Sequence, residues 1–197
     1  MYKKQLTAQK IICFAVLIAC VGVFIYSLGI LTDLHDSIYL ANVRYADNPE
    51  KTKVKGSTVY FEMQEFNRIL VRASIALIVL ALFLFITNTH SRRKYYLGNY
   101  VSTLAFSVGS VAMSIWAHGQ FEFYKAKYLE MDFEALQKHA EKMKTLYTDS
   151  TFWFDAHYVV FGVLLLVTAL LVANLFFKMK VMKDERKLLK NGKGEIA

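Results

Sequence analysis

Cysteine and proline are scarce in this chain of 197 residues, which contains two cysteines and one proline. The cysteines, Cys13 and Cys20, would lie about 10 Å apart along a helix, which is farther than the roughly 7 Å that a disulfide allows. The sequence therefore excludes a disulfide-stapled secreted module and a membrane thiol oxidoreductase, which needs paired outward cysteines. With 55% apolar residues, it also excludes a disordered chain.

Charged residues are fewer than in an average soluble domain, at 20% against about 25%. No HExxH, CxxC or Walker pattern occurs, so the short motifs typical of a zinc protease, a redox pair or a nucleotide site are absent. No Glu-x-x-His pair of the kind used by carboxylate-bridged di-metal bundles occurs either. The sequence therefore carries no catalytic signature of these kinds.

Four long apolar runs account for the apolar excess: residues 11–32, 69–87, 101–117 and 158–177. A bilayer core about 30 Å thick requires roughly 20 apolar residues in a helix, so each run suits a membrane span. Four such runs leave too little polar chain to cover them in water. We therefore predict an all-α, polytopic membrane protein with a bundle of four transmembrane helices.

Basic residues are concentrated in three of the segments that flank these runs. Residues 1–10, 88–100 and 178–197 together carry a formal charge of +10, whereas residues 33–68 and 118–157 together carry −3. Because Lys and Arg in short flanks stay on the cytoplasmic side, both termini and the loop 88–100 are predicted to be cytoplasmic. The net charge of +8 then indicates membrane orientation rather than a nucleic-acid ligand.

The same segments predict location and lipid contacts. No Asn-x-Ser/Thr glycosylation site occurs in residues 33–68 or 118–157, which together with the lack of disulfides favours a bacterial inner membrane. The basic tail, residues 178–197, is predicted to rest on anionic lipid. An alternative is a lipoprotein signal that ends at Cys20, but the apolar run continues for eleven residues beyond this cysteine, which argues against lipidation there.

The two outward segments carry helical patterns of apolar residues. In the first segment, the pattern extends the helix of the first span as far as Tyr45. Asn48 and Pro49 then break the helix, and the pattern resumes from Val59. In the second, apolar residues recur at spacings of four and three along an amphipathic helix. This seam comprises Leu129, Phe133, Leu136, Ala140, Met143 and Tyr147. We predict a helical extracytoplasmic domain whose seam packs on the chain's own outer segments or on a neighbouring subunit.

The third span carries a stripe of hydroxyl side chains at helical spacing: Thr103, Ser107, Ser110 and Ser114. Small hydroxyl residues let helices approach closely and can hydrogen-bond across the interface. The pattern predicts helix packing, with the lining of a pore in an oligomer as the alternative.

Arg72 is the one ionisable residue within a predicted span. A charge inside the membrane is costly and is by default a hypothesis about function. Because Arg72 lies about one turn from the outer edge of its span, its side chain can reach the boundary. We predict a structural salt bridge from Arg72 to Asp33, Asp36 or Glu65.

Carboxylates and imidazoles cluster at the outer ends of the four predicted spans, which a bundle would bring to one level. This outer cluster comprises Asp33, His35, Asp36, Glu62, Glu65, His118, Glu122, Asp155 and His157. His118 and Glu122 are four residues apart and so share one face of a helix. Such side chains are ligands of zinc, iron, manganese and copper, so they are candidate metal ligands. The alternative is a solvated polar collar without a metal or any other cofactor.

Two classes of function follow from these patterns. The first is a non-enzymatic membrane protein that acts through assembly, as a homo-oligomeric pore or as an accessory subunit of a membrane complex, including a bacterial defence effector. The second is a membrane metal-dependent or redox enzyme that uses the outer cluster. A transporter or sensor subunit is a third hypothesis. The predicted partners are the lipid bilayer and either a second copy or another membrane protein.

Overall fold

The computed structural model describes residues 2–34, 38–39, 54–89 and 96–190, and this part of the chain is helical. Its five α-helices are α1 (Tyr2–Leu34), α2 (Val59–Thr89), α3 (Tyr96–Leu129), α4 (Phe133–Met143) and α5 (Phe152–Lys190). No β-strand occurs in the described ranges. The prediction of an all-helical chain is therefore confirmed.

Four of these helices, α1, α2, α3 and α5, are long and apolar enough to cross a membrane. In α1 the buried residues include Cys13, Val16, Cys20 and Val23. The exposed residues form a second stripe, at spacings of three and four: Ile11, Phe14, Ile18, Val21, Ile25 and Leu28. So many exposed large apolar side chains are unfavourable in water, and lipid contact removes that cost.

The chain divides into two compact units, of which the first comprises residues 1–20, 77–111 and 163–197. Its core contains Leu84, Phe106 and Leu164, all fully buried. It also contains a buried polar network, in which the Gln9 side-chain amide donates to the backbone and side-chain oxygens of Asn88. Asn88 in turn donates to the Ser102 hydroxyl over 3.1 Å. Because a buried amide without partners is costly, this network fixes the register of the helices that carry it.

The second unit comprises residues 21–76 and 112–162, and aromatic rings form much of its core. Phe66 and Phe121 meet edge to face with their ring centroids 5.0 Å apart, a favoured geometry for aromatic pairs. The Tyr26 hydroxyl donates to the Trp153 carbonyl oxygen. Gly29 lies against the ring of Trp153, since a Cβ added to this glycine would be 3.0 Å from ring carbons. A side chain at position 29 would therefore press on the Trp153 ring.

A turn at residues 54–58 leads into α2 and contacts the link between α3 and α4. Gly56 adopts a φ of 83°, a conformation that suits glycine, and an added Cβ would lie 3.0 Å from the Met131 Cα. The Asp132 backbone amide donates to the Lys55 carbonyl oxygen over 3.2 Å. As the apolar pattern predicts, α2 begins at Val59, which is buried. The predicted continuation of α1 to Tyr45 and its break at residues 48–49 lie outside the described residues.

The structure differs from the prediction of one continuous amphipathic helix through the seam. Leu129 is the last residue of α3, and α4 begins anew at Phe133 because the Asp132 side chain caps it, accepting a 2.9 Å hydrogen bond from the Ala135 amide. The helix ends at Met143, and its C-cap residue Lys144 adopts a left-handed conformation with φ of 54°. The helix that carries the seam is therefore interrupted between Leu129 and Phe133 and ends before Tyr147. Leu136 and Ala140 are buried, whereas Leu129, Met143 and Tyr147 are exposed.

Candidate metal centre

Three members of the outer cluster meet in the second unit: His118 and Glu122 of α3 and His157 of α5. One ligand atom of each lies within 4.8 Å of the others. His118 and Glu122 share a face because four residues make about one helical turn. His157 comes from the beginning of α5, five residues after its first residue. The helices α3 and α5 thus assemble a group that is dispersed in the sequence.

The two histidines point ring nitrogens at each other. The Nδ1 atom of His118 lies 2.9 Å from the Nε2 atom of His157. The Nδ1 atom of His157 is hydrogen-bonded to the Phe154 carbonyl oxygen. Because a carbonyl can only accept, this Nδ1 carries the proton, and the Nε2 lone pair of His157 faces His118. A histidine that ligates a metal is commonly oriented by such a backbone carbonyl.

His157 is held in one position by its surroundings. It is 1% exposed and lies just before the apolar segment 158–177. Its ring stacks on Phe121, with centroids 5.0 Å apart and an interplanar angle of 22°. The form of histidine that binds metal ions is the neutral imidazole.

Glu122 is half-buried and is oriented by the residue that follows His157. The Tyr158 hydroxyl donates to the Glu122 Oε1 atom over 2.7 Å. This bond orients the carboxylate through one of its two oxygens. Hydrogen bonds of this kind to ligating carboxylates are a regular feature of metal sites.

The arrangement suits zinc in its ligand chemistry. Two imidazoles and one carboxylate form the His₂Glu set found in catalytic zinc sites. With Zn–N bonds of about 2.0–2.1 Å in a tetrahedral site, the two nitrogens would lie about 3.3 Å apart. The observed separation of 2.9 Å is a few tenths of an ångström shorter, and both rings would also have to turn so that their lone pairs converge on one ion.

Two other carboxylates of the outer cluster have their own partners. Asp155 pairs with the Lys125 ammonium through Oδ1 and accepts a 2.6 Å hydrogen bond from the Thr151 hydroxyl through Oδ2. Glu62 pairs with the Lys127 ammonium. Glu65 is exposed on α2. The side chains of Asp33, His35 and Asp36 lie outside the described residues. Of the six predicted candidates whose side chains the structure describes, it therefore brings three together.

The hydroxyl stripe is largely buried against other parts of the chain. Thr103, Ser110 and Ser114 are buried. The Ser110 Oγ atom lies 3.1 Å from the Thr168 Oγ1 atom of α5. The Ser107 hydroxyl is also buried and has no hydrogen-bond partner in the structure. This geometry is typical of helix packing, and the lining of a pore stays a prediction.

The predicted intramembrane charge, Arg72, is exposed on α2, and so is Glu65, one of its predicted partners. In α5 the first residue of the predicted basic tail, Lys178, is 8% exposed. The salt bridge of Arg72 and the lipid contact of the tail remain predictions. A tail that rests on lipid would keep the ammonium group of Lys178 in contact with water, whereas the structure buries this side chain.

No motif in the sequence pointed to the residues that orient the candidate metal ligands. The side chains of Tyr158 and Phe154 are not typical metal ligands. The spacing of three residues between Phe154 and His157, however, places these two residues about one turn apart on α5. No motif pointed to the buried network of Gln9 and Asn88 either. The sequence feature that could have predicted this network is the presence of two amide side chains, Gln9 and Asn88, near the ends of otherwise apolar helices.

Comparisons with known proteins add no family assignment, since the chain matches no protein-family model, no curated protein and no solved structure. The functional conclusions therefore depend on the geometry of the three side chains and their surroundings.

Proposed function

We propose that this chain is an integral membrane protein that binds a divalent transition-metal ion, zinc above others, through His118, Glu122 and His157. The observation that carries the proposal is that three ligand atoms of zinc-binding chemistry, from two helices, lie within 4.8 Å of one another. The hydrogen bonds from His157 to the Phe154 carbonyl and from Tyr158 to Glu122 support it. They orient two of the three ligands before any metal arrives.

We propose further that the site lies at the outer ends of the third and fourth spans, in a cell membrane with both termini cytoplasmic. The support is the distribution of charge, +10 in residues 1–10, 88–100 and 178–197 against −3 in residues 33–68 and 118–157. A site in this position receives its metal from the aqueous phase outside the cytoplasm. This extends the hypothesis of a metal-dependent membrane protein to three named ligands.

Zinc titration of the full chain in detergent tests the proposal, with protein purified without a polyhistidine tag and stripped of metal. Calorimetry and elemental analysis should give one zinc ion per chain. His118→Ala and Glu122→Gln should each weaken binding by more than the roughly 10–100-fold that loss of an outer-shell partner costs. His118 is exposed and Glu122 half-buried, so both variants are expected to fold.

Two variants are matched controls for these substitutions. His139→Ala removes a histidine of α4, and Glu65→Gln removes an exposed carboxylate of the outer cluster; neither residue belongs to the group of three. Both variants should bind zinc as the unaltered protein does. Absence of stoichiometric zinc from the unaltered protein, or an equal loss in the controls, would contradict the proposal.

A second candidate function is action through assembly with another copy or another membrane protein. It is favoured by apolar side chains exposed outside the four apolar runs of the sequence: Leu129 is 54%, Leu146 69% and Phe152 64% exposed. Native mass spectrometry in detergent tests it, and a strict monomer would contradict homo-oligomeric assembly. If such an assembly forms a pore through the hydroxyl stripe, Ser107→Leu should abolish ion flux across vesicles.

A further inference from the structure

The metal centre offers three protein ligands, although zinc takes four. Among the residues that the structure describes, the group comprises His118, Glu122 and His157 and no fourth member. The nearby carboxylate of Asp155 has both oxygens engaged, one by Lys125 and one by Thr151. A site with three protein ligands completes its coordination with water or with an exogenous ligand.

The burial of the three ligands shows where the remaining position opens. His157 is buried against Phe121, so the protein closes that side. His118 is exposed and Glu122 is half-buried, so the described part of the protein does not cover the opposite side. A fourth ligand therefore approaches past His118.

The charge of the centre selects the class of that ligand. Two neutral imidazoles and one carboxylate carry a charge of −1, so a divalent ion leaves a net charge of about +1 at the centre. Lys125 and Asp155 form a neighbouring pair that adds no net charge. A small anion is therefore favoured over a neutral donor.

We propose that a metal ion bound by His118, Glu122 and His157 keeps one exchangeable coordination position, which accepts a small anionic ligand from the aqueous phase. The inference rests on the proposed metal-binding function and deepens it. It distinguishes a reactive or ligand-binding centre from a purely structural one, in which four protein groups saturate the ion.

Cobalt substitution tests this inference. Co²⁺ is added to the metal-free full chain in detergent, and its visible absorption bands report the ligand geometry. Sodium azide should shift these bands in a saturable manner, whereas acetamide, a neutral donor, should leave them unchanged. The bands should be lost in His118→Ala, which shows that they arise from this centre, and retained in His139→Ala.

The outcomes separate the two proposals. Cobalt bands that depend on His118 but do not respond to azide would overturn the open position and leave metal binding intact. Equal responses to azide and acetamide would overturn the selection for anions. Absence of His118-dependent bands would overturn metal binding itself.

Discussion

The Nδ1 atom of His118 lies 2.9 Å from the Nε2 atom of His157, across 39 positions of sequence. Because the Phe154 carbonyl fixes the proton of His157 on Nδ1, the Nε2 lone pair of His157 faces Nδ1 of His118. Binding of a metal ion by both nitrogens would require the proton of His118 to leave Nδ1, and the neutral ring can carry it on Nε2. The following predictions examine this relationship and the packing around it.

Zinc should stabilise the folded protein against heat. A ligand that binds only the folded state at 100 times its Kd adds about 2.7 kcal/mol to the free energy of unfolding. Thermal unfolding in detergent should therefore show a higher Tm with zinc than without it, and magnesium should have no such effect. In His118→Ala the zinc-dependent rise in Tm should disappear, and its persistence there would show that zinc acts elsewhere.

Tyr158→Phe should weaken zinc binding by roughly 10–100-fold without changing the stoichiometry. The substitution removes the hydroxyl that holds Glu122 Oε1 but leaves all three ligands in place. Calorimetric titration measures the effect. Tyr147→Phe, which alters an exposed tyrosine beyond α4, is the control. Equal affinities of Tyr158→Phe and the unaltered protein would mean that the hydroxyl does not position the carboxylate.

Gly29→Ala should destabilise the protein by about 1–3 kcal/mol, because overpacking forces neighbours to shift. The new Cβ would lie 3.0 Å from two carbons of the Trp153 ring. Gly22→Ala is a matched control in the same helix, since no atom lies within 4 Å of the added Cβ there. Thermal unfolding of both variants should show a lower Tm for Gly29→Ala alone. Equal Tm values would contradict the close contact.

Asn88→Ala should cost about 1–3 kcal/mol, because it leaves the buried side-chain amide of Gln9 short of an acceptor. Replacing both Gln9 and Asn88 by Leu should cost less than the sum of the two single replacements, since it removes donor and acceptor together. Denaturant titration in mixed detergent measures these energies. Gln137→Ala, on the exposed face of α4, should be nearly neutral. Strict additivity would show that the two amides are not coupled.

Ser110 and Thr168 should be energetically coupled by about 0.6 kcal/mol, the average for hydrogen bonds between membrane helices. Their hydroxyl oxygens lie 3.1 Å apart between α3 and α5. A double-mutant cycle with Ser110→Ala and Thr168→Val measures the coupling in the same unfolding assay. A coupling energy of zero would remove the main support for helix packing by the hydroxyl stripe.

The long helices could be predicted from the sequence because each apolar run is a local, continuous signal. The interruption of the seam was less visible, although Asp132 before Phe133 is an N-cap signal. The apolar spacing of Leu129, Phe133 and Leu136 continued across that cap and concealed it. Periodicity alone does not reveal that a chain has changed direction between two apolar residues.

All three ligands of the metal centre were among the candidates, but the sequence could not separate them from the rest. Only the spacing of His118 and Glu122 is local, and the approach of His157 depends on how α3 and α5 pack. Asp155 was an equal candidate until the structure showed it engaged by Lys125 and Thr151. Which carboxylates are available to a metal ion is a tertiary property, because it depends on which side chains contact each carboxylate in the folded chain.

The unequal burial of the two histidines sets the order in which a metal ion would leave. His157 is closed in by Phe121, so it would be the last of the three ligands to release a bound ion, after the exposed His118 and Glu122. The residence time of such an ion would then depend on how readily the His118 ring swings away. A small chelator that enters from that side would accelerate release, whereas a bulky chelator would have to wait for spontaneous dissociation.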